Sequence, residues 1–206
     1  PWPVRHTTHV ADPVEISDPD EVIEEMDQEF QQTDGGTTEP AADATEPDAA
    51  DRDADSVTII RPGGVVRVAV GHHPFGVTLR GGRAFVTNVL SDSVSVIDLE
   101  TDRVVATIAT GERPYAVAFA AGRGFVTNQY DASVTVFDET SLSVLGRIET
   151  DEYPEGIAAT ADGNRILVAN WFSDTVQAID PAGMAVVETL DMPEGPRAFG
   201  QFIGRP

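Results

Sequence analysis

A unit of about 40 residues occurs three times in the second half of this chain, and the beginning of a fourth unit follows. Its landmarks recur at steps of 40 and then 40 or 42 residues: Pro74, Pro114, Pro154 and Pro196; Asn88, Asn128 and Asn170; Asp98, Asp138 and Asp180. Inside the unit, short apolar runs alternate with Gly, Asn and Asp turns, and no helical periodicity is present. A tandem repeat of this length and pattern is typical of β-propeller blades.

Each unit contains four short apolar runs. In the first unit they cover residues 75–79, 84–87, 93–97 and 104–108. Runs rich in Val, Ile, Phe and Thr and bounded by turn residues predict an antiparallel meander of four strands. The aspartate after the third run, such as Asp98, is predicted to form an Asx turn.

The phase of the repeat shows that the chain enters and leaves a propeller within a blade. Residues 55–70 align with residues 174–190, which are the third and fourth strands of a blade, and residues 195–203 align with a first strand. The predicted fold is therefore all-β: a β-propeller of four-stranded antiparallel blades, with three full blades and a partial blade at each end.

A closed propeller needs about 4 to 8 blades, and three ways of completing the ring remain open. The chain is the C-terminal part of a larger propeller, or it closes through a second copy or a partner. Alternatively it forms an open or four-bladed structure, in which residues 3–10 are a candidate for the missing second strand. Uncovered blade faces are apolar, so self-association through them is expected.

The first 55 residues differ from the repeats. They contain 17 Asp and Glu against 2 Arg, a net of −15, while residues 56–206 contain 18 against 11, a net of −7; the chain total is −22. Residues 31–55 have no large apolar side chain, so this stretch is predicted to be disordered. Residues 19–30 predict a short helix, because Asp18 can cap it and Pro19 suits its first position.

Composition also excludes several classes of function. So acidic a chain is not expected to bind nucleic acid or anionic membrane surfaces. It has no cysteine, which excludes disulfides, thiolate metal sites and a cysteine nucleophile. No apolar run is long enough to span a membrane, and no signal peptide is visible in this chain.

The strings FVTN at 85–88 and 125–128 and LVAN at 167–170, each followed by a Ser/Thr-Val strand ending in Asp, resemble YVTN-type β-propeller repeats. These repeats belong to the lactonase-like propeller superfamily, and the resemblance covers residues 56–206. It implies a partial YVTN-type propeller and an extracellular or periplasmic location. The closing strings also resemble the final blades of exported propellers found near quinoprotein-linked oxidation systems.

The candidate ligand-binding residues lie around the entry prolines. In a propeller the innermost strands line the central channel, so loops leading into them form one rim. The residues after the prolines differ between copies although their surroundings agree, which favours a binding role: Phe75, Tyr115, Glu155 and Arg197. The residues before the prolines share the rim, and an aromatic residue after the third asparagine is a further candidate: His73, Arg113, Tyr153 and Trp171.

No catalytic residue or metal ligand is predicted. The chain lacks a G-x-S-x-G elbow, a P-loop, a dinucleotide fingerprint and an H-E-x-x-H motif, and no cofactor is expected. Asn88, Asn128 and Asn170 recur in every copy, which indicates a scaffold role through hydrogen bonds to the backbone. The sequence thus favours a non-catalytic propeller module that binds a protein or small-molecule ligand at the channel rim. The alternative is an enzyme or enzyme subunit: a lactonase-like hydrolase or a propeller associated with a quinoprotein dehydrogenase.

Overall fold

The computed structural model describes residues 48–198, which lie within the unit Ala44–Pro206. These residues form fifteen strands. The strands are β1 Asp48–Asp51, β2 Ser56–Arg61, β3 Gly64–Ala69, β4 Pro74–Arg80, β5 Arg83–Asn88, β6 Ser93–Asp98, β7 Arg103–Ala109, β8 Pro114–Ala120, β9 Arg123–Asn128, β10 Ser133–Asp138, β11 Val144–Glu149, β12 Pro154–Ala159, β13 Ile166–Asn170, β14 Thr175–Asp180 and β15 Ala185–Asp191. Within the described range no helix is long and apolar enough to cross a membrane.

The strands form four antiparallel meanders, each of which is one propeller blade. Their orders are β1-β2-β3, β4-β5-β6-β7, β8-β9-β10-β11 and β12-β13-β14-β15. The prediction of three full blades and a partial blade before them is confirmed. The sheets contact one another through their inner strands, so β4 packs on β8 and β8 packs on β12.

The turns follow the chemistry that the sequence predicts. Gly81 and Gly82 join β4 to β5 with φ values of 57° and 75°, a region that favours glycine. After the third strand, the Asp98 carboxylate accepts hydrogen bonds from the backbone N–H groups of Glu100 and Thr101 at 3.0 and 2.9 Å. Asp138 does the same in the next blade, so the predicted Asx turns are confirmed.

The apolar core lies between neighbouring blades. One cluster joins Val57, Ile59 and Val68 of the first blade to residues of the second, and two more clusters fill the next two junctions. Because the middle strands of a full blade are covered on both faces, β6 is buried along Ser93–Ile97. This explains why these strands read as continuous apolar runs instead of alternating patterns.

The three repeated asparagines are fully buried and bind groups inside their own blade. The Asn128 amide nitrogen donates to the hydroxyls of Ser133 and Thr135 at 3.0 and 2.9 Å, and its oxygen accepts from the Gly111 N–H at 3.1 Å. Asn88 makes the equivalent bonds. The scaffold role through a backbone hydrogen bond is thus confirmed for Asn88 and Asn128, and hydroxyl groups share it. Asn170 donates to the side chains of Thr175 and Gln177 instead.

The partial first blade corrects part of the disorder prediction. Residues 48–51 form β1, and its register with β2 (Asp51 opposite Ser56) repeats that of β5 with β6 (Asn88 opposite Ser93). β1 therefore occupies the second-strand place for which residues 3–10 were a candidate. Pairing with β2 and packing on β4 order a segment whose composition alone favours disorder. Residues 31–47 and the predicted helix at 19–30 lie outside the described residues.

At the other end, the predicted first strand at 195–203 is only partly described. Residues 195–198 are not in a strand, and residues 199–203 lie outside the described part of the chain. Ala198 nevertheless lies against β12, where a Cβ on Gly156 would lie 2.5 Å from its carbonyl oxygen. This is the place that the inner strand of a following blade would take.

Candidate functional site

The residues after the entry prolines lie in β-bulges at one end of the inner strands. In each full blade the proline pairs with the repeated asparagine, as Pro74 does with Asn88, and the register then shifts before Val77. The same shift follows Pro114 and Pro154. Because a bulge re-aims the residues within it, the bulged positions carry the predicted binding side chains: Phe75, Tyr115 and Glu155.

These side chains are brought together in neighbouring pairs. The rings of Phe75 and Tyr115 are 4.4 Å apart with a 40° tilt. Gly76 makes this approach possible, because a Cβ there would lie 2.5 Å from the Tyr115 carbonyl oxygen. The second pair is ionic: Arg197 Nε is 3.7 Å from Glu155 Oε2.

Glu155 is a buried carboxylate in a rim whose other candidate residues are half-buried or exposed. It is 2% exposed, and its Oε1 accepts a hydrogen bond from Gln129 Nε2 at 3.0 Å. Among residues 48–198, its Oε2 has no hydrogen-bond partner. Burial raises the pKa of Glu155, and the charge of Arg197 and the bond from Gln129 only partly oppose that shift.

Tyr115 belongs to the aromatic pair, and its pKa is also shifted. Burial, with a smaller contribution from the negative charge of Glu155, raises its pKa to about 12. The Thr87 hydroxyl donates to the Tyr115 carbonyl oxygen at 3.1 Å, and Thr127 donates to that of Glu155 at 3.0 Å. These bonds between blades fix the backbone beneath both side chains.

The residues before the prolines share an uncommon conformation. His73, Arg113 and Tyr153 have φ values of 57°, 55° and 54°, and positive φ is rare for non-glycine residues. Where such strain persists, the surroundings hold it in place. The N–H groups of His73 and Arg113 donate to the carboxylates of Asp55 and Asp92 at 2.9 and 3.0 Å. Burial lowers the pKa of His73, as do the charges of Arg52 and Arg113.

A row of aromatic rings with an arginine at each end runs along this rim; we call it the aromatic row. Arg113 lies 5.0 Å above Tyr130, whose ring is 5.6 Å from that of Tyr153. Tyr153 contacts Trp171 at 6.0 Å, and Arg197 lies 4.3 Å above the Trp171 ring. Phe172 is 5.6 Å from Tyr153 and 39% exposed.

The structure adds Gln129, Tyr130 and Phe172 to the residues predicted from sequence. All three follow a repeated asparagine, at positions whose residues change from copy to copy while the asparagine does not. That variation is the same signal that selected the residues after the prolines. Applied to both places, it would have found the whole rim.

Below the rim, the inner strands line a cavity of about 550 Å³. Its wall is mostly apolar and includes Leu79, Phe119, Ile157 and Ala198 beside Phe75 and Tyr115. The histidines do not converge on it: His72 pairs with Asp55 at 2.7 Å in an exposed position, and His6 and His9 lie outside the described residues. Between residues 48 and 198, no group of three or more His, Cys, Asp or Glu could hold a metal ion.

No protein-family model matches the chain, and no curated protein matches it. Among solved structures, it is similar to the hydrazine synthase of Kuenenia stuttgartiensis, with a TM-score of 0.58 and 27% identity over 60% of this chain and 37% of that one. It is also similar to virginiamycin B lyase from Staphylococcus aureus (0.61, 13%, covering 69% and 50%) and to the WD40 β-propeller domain of Doa1 (0.57, 12%, covering 68% and 48%).

These likenesses agree with the sheet topology on a β-propeller fold. The chain spans half or less of the length of each of these solved chains. Two of the three proteins are enzymes by name and the third is a WD40 domain, and one fold supports many functions. What this chain does must therefore be argued from its own rim.

Proposed function

We propose that this chain is a non-catalytic β-propeller module that binds a protein or small-molecule ligand at the channel rim. The observation that carries the proposal is the Oε2 atom of Glu155. It is buried, makes no hydrogen bond with any described residue, and lies at the rim near Tyr115 and Arg197. An unsatisfied buried acceptor costs about 1 to 3 kcal/mol, and a ligand that donates a hydrogen bond to it would recover that energy.

The surroundings of Glu155 favour a ligand with a positively charged group. The aromatic row already holds two guanidinium groups over its rings, at Tyr130 and at Trp171, so its geometry suits cation–π contact. The chain's net charge of −22 attracts cations over longer range. Arg197 is 43% exposed, so it can turn away from Glu155 when a ligand arrives.

Trp171 provides a fluorescent reporter inside the rim. In a Trp2→Phe background, we would titrate the protein with short lysine-rich, glutamate-rich and uncharged peptides that lack aromatic residues. We expect a saturable change with the lysine-rich peptide only. Glu155→Gln should weaken that binding at least tenfold, and so should the double change Glu155→Ala with Arg197→Ala, each with little loss of stability.

Glu152→Gln is the matched control, because it removes the same charge from an exposed neighbouring loop position. It should leave the affinity nearly unchanged. Equal affinity of Glu155→Gln and the parent protein, or equal binding of all three peptides, would refute the proposal. Lactone hydrolysis that Glu155→Gln abolishes would instead favour the hydrolase alternative.

A further inference from the structure

Because the blades repeat, the exposure of equivalent side chains shows which blade faces are covered by a neighbouring blade. Ile60 on β2 is equivalent to Ile97, Phe137 and Ile179, since each stands at the same place in its strand. These last three side chains are 0% exposed, whereas Ile60 is 41% exposed. None of residues 48–198 therefore covers the face of the first blade that points away from the second blade.

The last blade has an uncovered face on its opposite side, which points away from the preceding blade. Leu190 on β15 is equivalent to Val68, Ile108 and Ile148, because each lies opposite the second residue of the third strand. Those three are 7%, 2% and 5% exposed, and Leu190 is 51% exposed. Its neighbour Val176 is also less buried than its counterparts Val57, Val94 and Val134.

The two uncovered faces are complementary. Each of the three junctions between blades places one residue of each kind in a single cluster: Val68 with Ile97, Ile108 with Phe137, and Ile148 with Ile179. Leu190 lacks a partner equivalent to Ile97, Phe137 or Ile179, and Ile60 lacks a partner equivalent to Val68, Ile108 or Ile148. A contact between them would repeat the interior junction.

Each interior junction also contains a polar contact between the two blades. At each junction an arginine of one blade reaches the turn between the third and fourth strands of the next. Arg61 pairs with Asp102 at 2.7 Å, Arg80 with Glu139 at 2.7 Å, and Arg123 donates to the Pro181 carbonyl oxygen at 2.7 Å. In the last blade Arg165 stands in the place of Arg123 and donates only locally, to the Asn164 carbonyl oxygen.

We propose that a second copy of this chain covers both faces. Leu190 of each copy packs on Ile60 of the other, and Arg165 reaches the turn at residues 62–63. The contact is head-to-tail, and such contacts end only when a ring closes. Four blades from each copy make a ring of eight, which is within the range of about 4 to 8 for closed propellers.

This arrangement also completes the first blade and the rim. The first blade has no inner strand among the described residues, and residues 196–198 run where the inner strand of a following blade would begin. In the two-copy ring these residues lie where the inner strand of the other copy's first blade belongs. Arg197 then stands beside Phe75 of the second copy, so both copies build the binding rim.

The test is the molar mass of the full chain, measured by light scattering on a sizing column. Salt of about 0.5 M shortens the range of repulsion between the acidic copies to on the order of 4 Å. We expect twice the chain mass of 22.0 kDa. Leu190→Glu should halve the mass, whereas Leu145→Glu should not, because Leu145 is 46% exposed on an outer strand away from either end face.

A mixing experiment separates a lost contact from a damaged fold. Ile60→Arg should also be monomeric, but a mixture of Ile60→Arg and Leu190→Glu chains retains one unaltered junction and should form dimers. A monomeric parent protein would mean that something other than a second copy covers these faces. Three results would overturn the proposal: a monomeric parent protein, a molar mass above that of a dimer, or a Leu145→Glu variant whose mass is also halved.

Discussion

Gln177 takes the backbone hydrogen bond that belongs to Asn170 in this repeat. Gln177 Oε1 accepts from the Asp151 N–H at 3.0 Å, and the buried Asn170 Oδ1 has no hydrogen-bond partner in the described part of the chain. In the two preceding blades the asparagine oxygen accepts that bond, as Asn128 does from Gly111 at 3.1 Å. There the residue in Gln177's place is a shorter Ser or Thr, so the asparagine oxygen keeps its bond from the amide; the Thr135 hydroxyl accepts from the same Gly111 N–H at 3.2 Å beside it.

Gln177→Thr should therefore stabilise the protein. With the shorter side chain, Asn170 can accept from the Asp151 N–H, and we expect a gain of about 1 kcal/mol in the free energy of unfolding. Urea unfolding followed by far-UV circular dichroism measures it. The reverse change in the preceding blade, Thr135→Gln, should cost a similar amount. A loss of stability in Gln177→Thr would contradict this account.

Gly124 and Phe137 should behave as a coupled pair. They lie opposite each other on β9 and β10, and a Cβ on Gly124 would overlap the Phe137 ring. The equivalent pairs in the other full blades are Ala84 with Ile97 and Ile166 with Ile179.

Gly124→Ala should thus lower the free energy of unfolding by about 2 kcal/mol through overpacking. Adding Phe137→Ile should restore most of that loss, because it recreates the Ala–Ile combination of the second blade. Thermal or urea unfolding of both single variants and the double variant gives the coupling energy. Additive effects would show that the two residues do not compete for the same space.

Ala132→Asn should stabilise the turn between β9 and β10. Ala132 has a φ of 46°, and the equivalent residues with φ of 48°, 46° and 53° are all aspartates: Asp55, Asp92 and Asp174. The left-handed region costs most L-residues about 1 to 2 kcal/mol, but Asn and Asp adopt it routinely. We expect a gain of about 0.5 to 1 kcal/mol by urea unfolding.

The opposite change supplies the control for this turn. Asp92→Ala should destabilise by more than Ala132→Asn stabilises, since it also removes the hydrogen bond from the Arg113 N–H. If the two changes have effects of the same sign, backbone conformation does not explain the choice of residue here.

Glu155 should make stability depend on pH above the ordinary carboxyl range. Burial raises its pKa above the usual 4.5, so the folded protein holds this proton more tightly than the unfolded chain does. The free energy of unfolding therefore falls as the pH rises from about 4.5 through the raised pKa. Glu155→Gln should remove this slope, which denaturant midpoints at about pH 5, 6 and 7 would show.

A separate group of carboxylates acts below that window with the opposite sign. Hydrogen bonds from neighbouring residues lower the pKa of Asp98 and Asp138, and they lower that of Asp162 to about 2. Their contribution is present above the ordinary value of 3.8 and is lost as the pH falls below it. A Glu155→Gln variant that keeps the slope above pH 4.5 would assign that slope to other groups.

Most of the blade architecture could be predicted from the sequence because it depends on neighbours in the chain. Strands of five to seven residues, the glycine turn at Gly81 and the Asx turn at Asp98 all involve bonds that span only a few positions. The repeat then confirmed each assignment three times. β1 was missed because its four residues, DAAD, become a strand only by pairing with β2.

The rim could be predicted only in part. The entry prolines located Phe75, Tyr115, Glu155 and Arg197, but composition could not show that Glu155 is buried while Arg197 is exposed. Gln129 reaches Glu155 across 26 positions of the chain, and such a contact depends on how one blade stacks on the next. No local pattern contains that information.

By itself, the sequence determined the blade, its period, its repeated asparagines and the end of the blade where variable residues gather. These follow from short-range pairing and turn chemistry repeated along the chain. Only the tertiary structure decided which variable residues meet, which carboxylate lost its contact with water, and which two faces stayed uncovered. Stacking of whole sheets sets those outcomes, since burial and charge at the rim arise between blades and not within one.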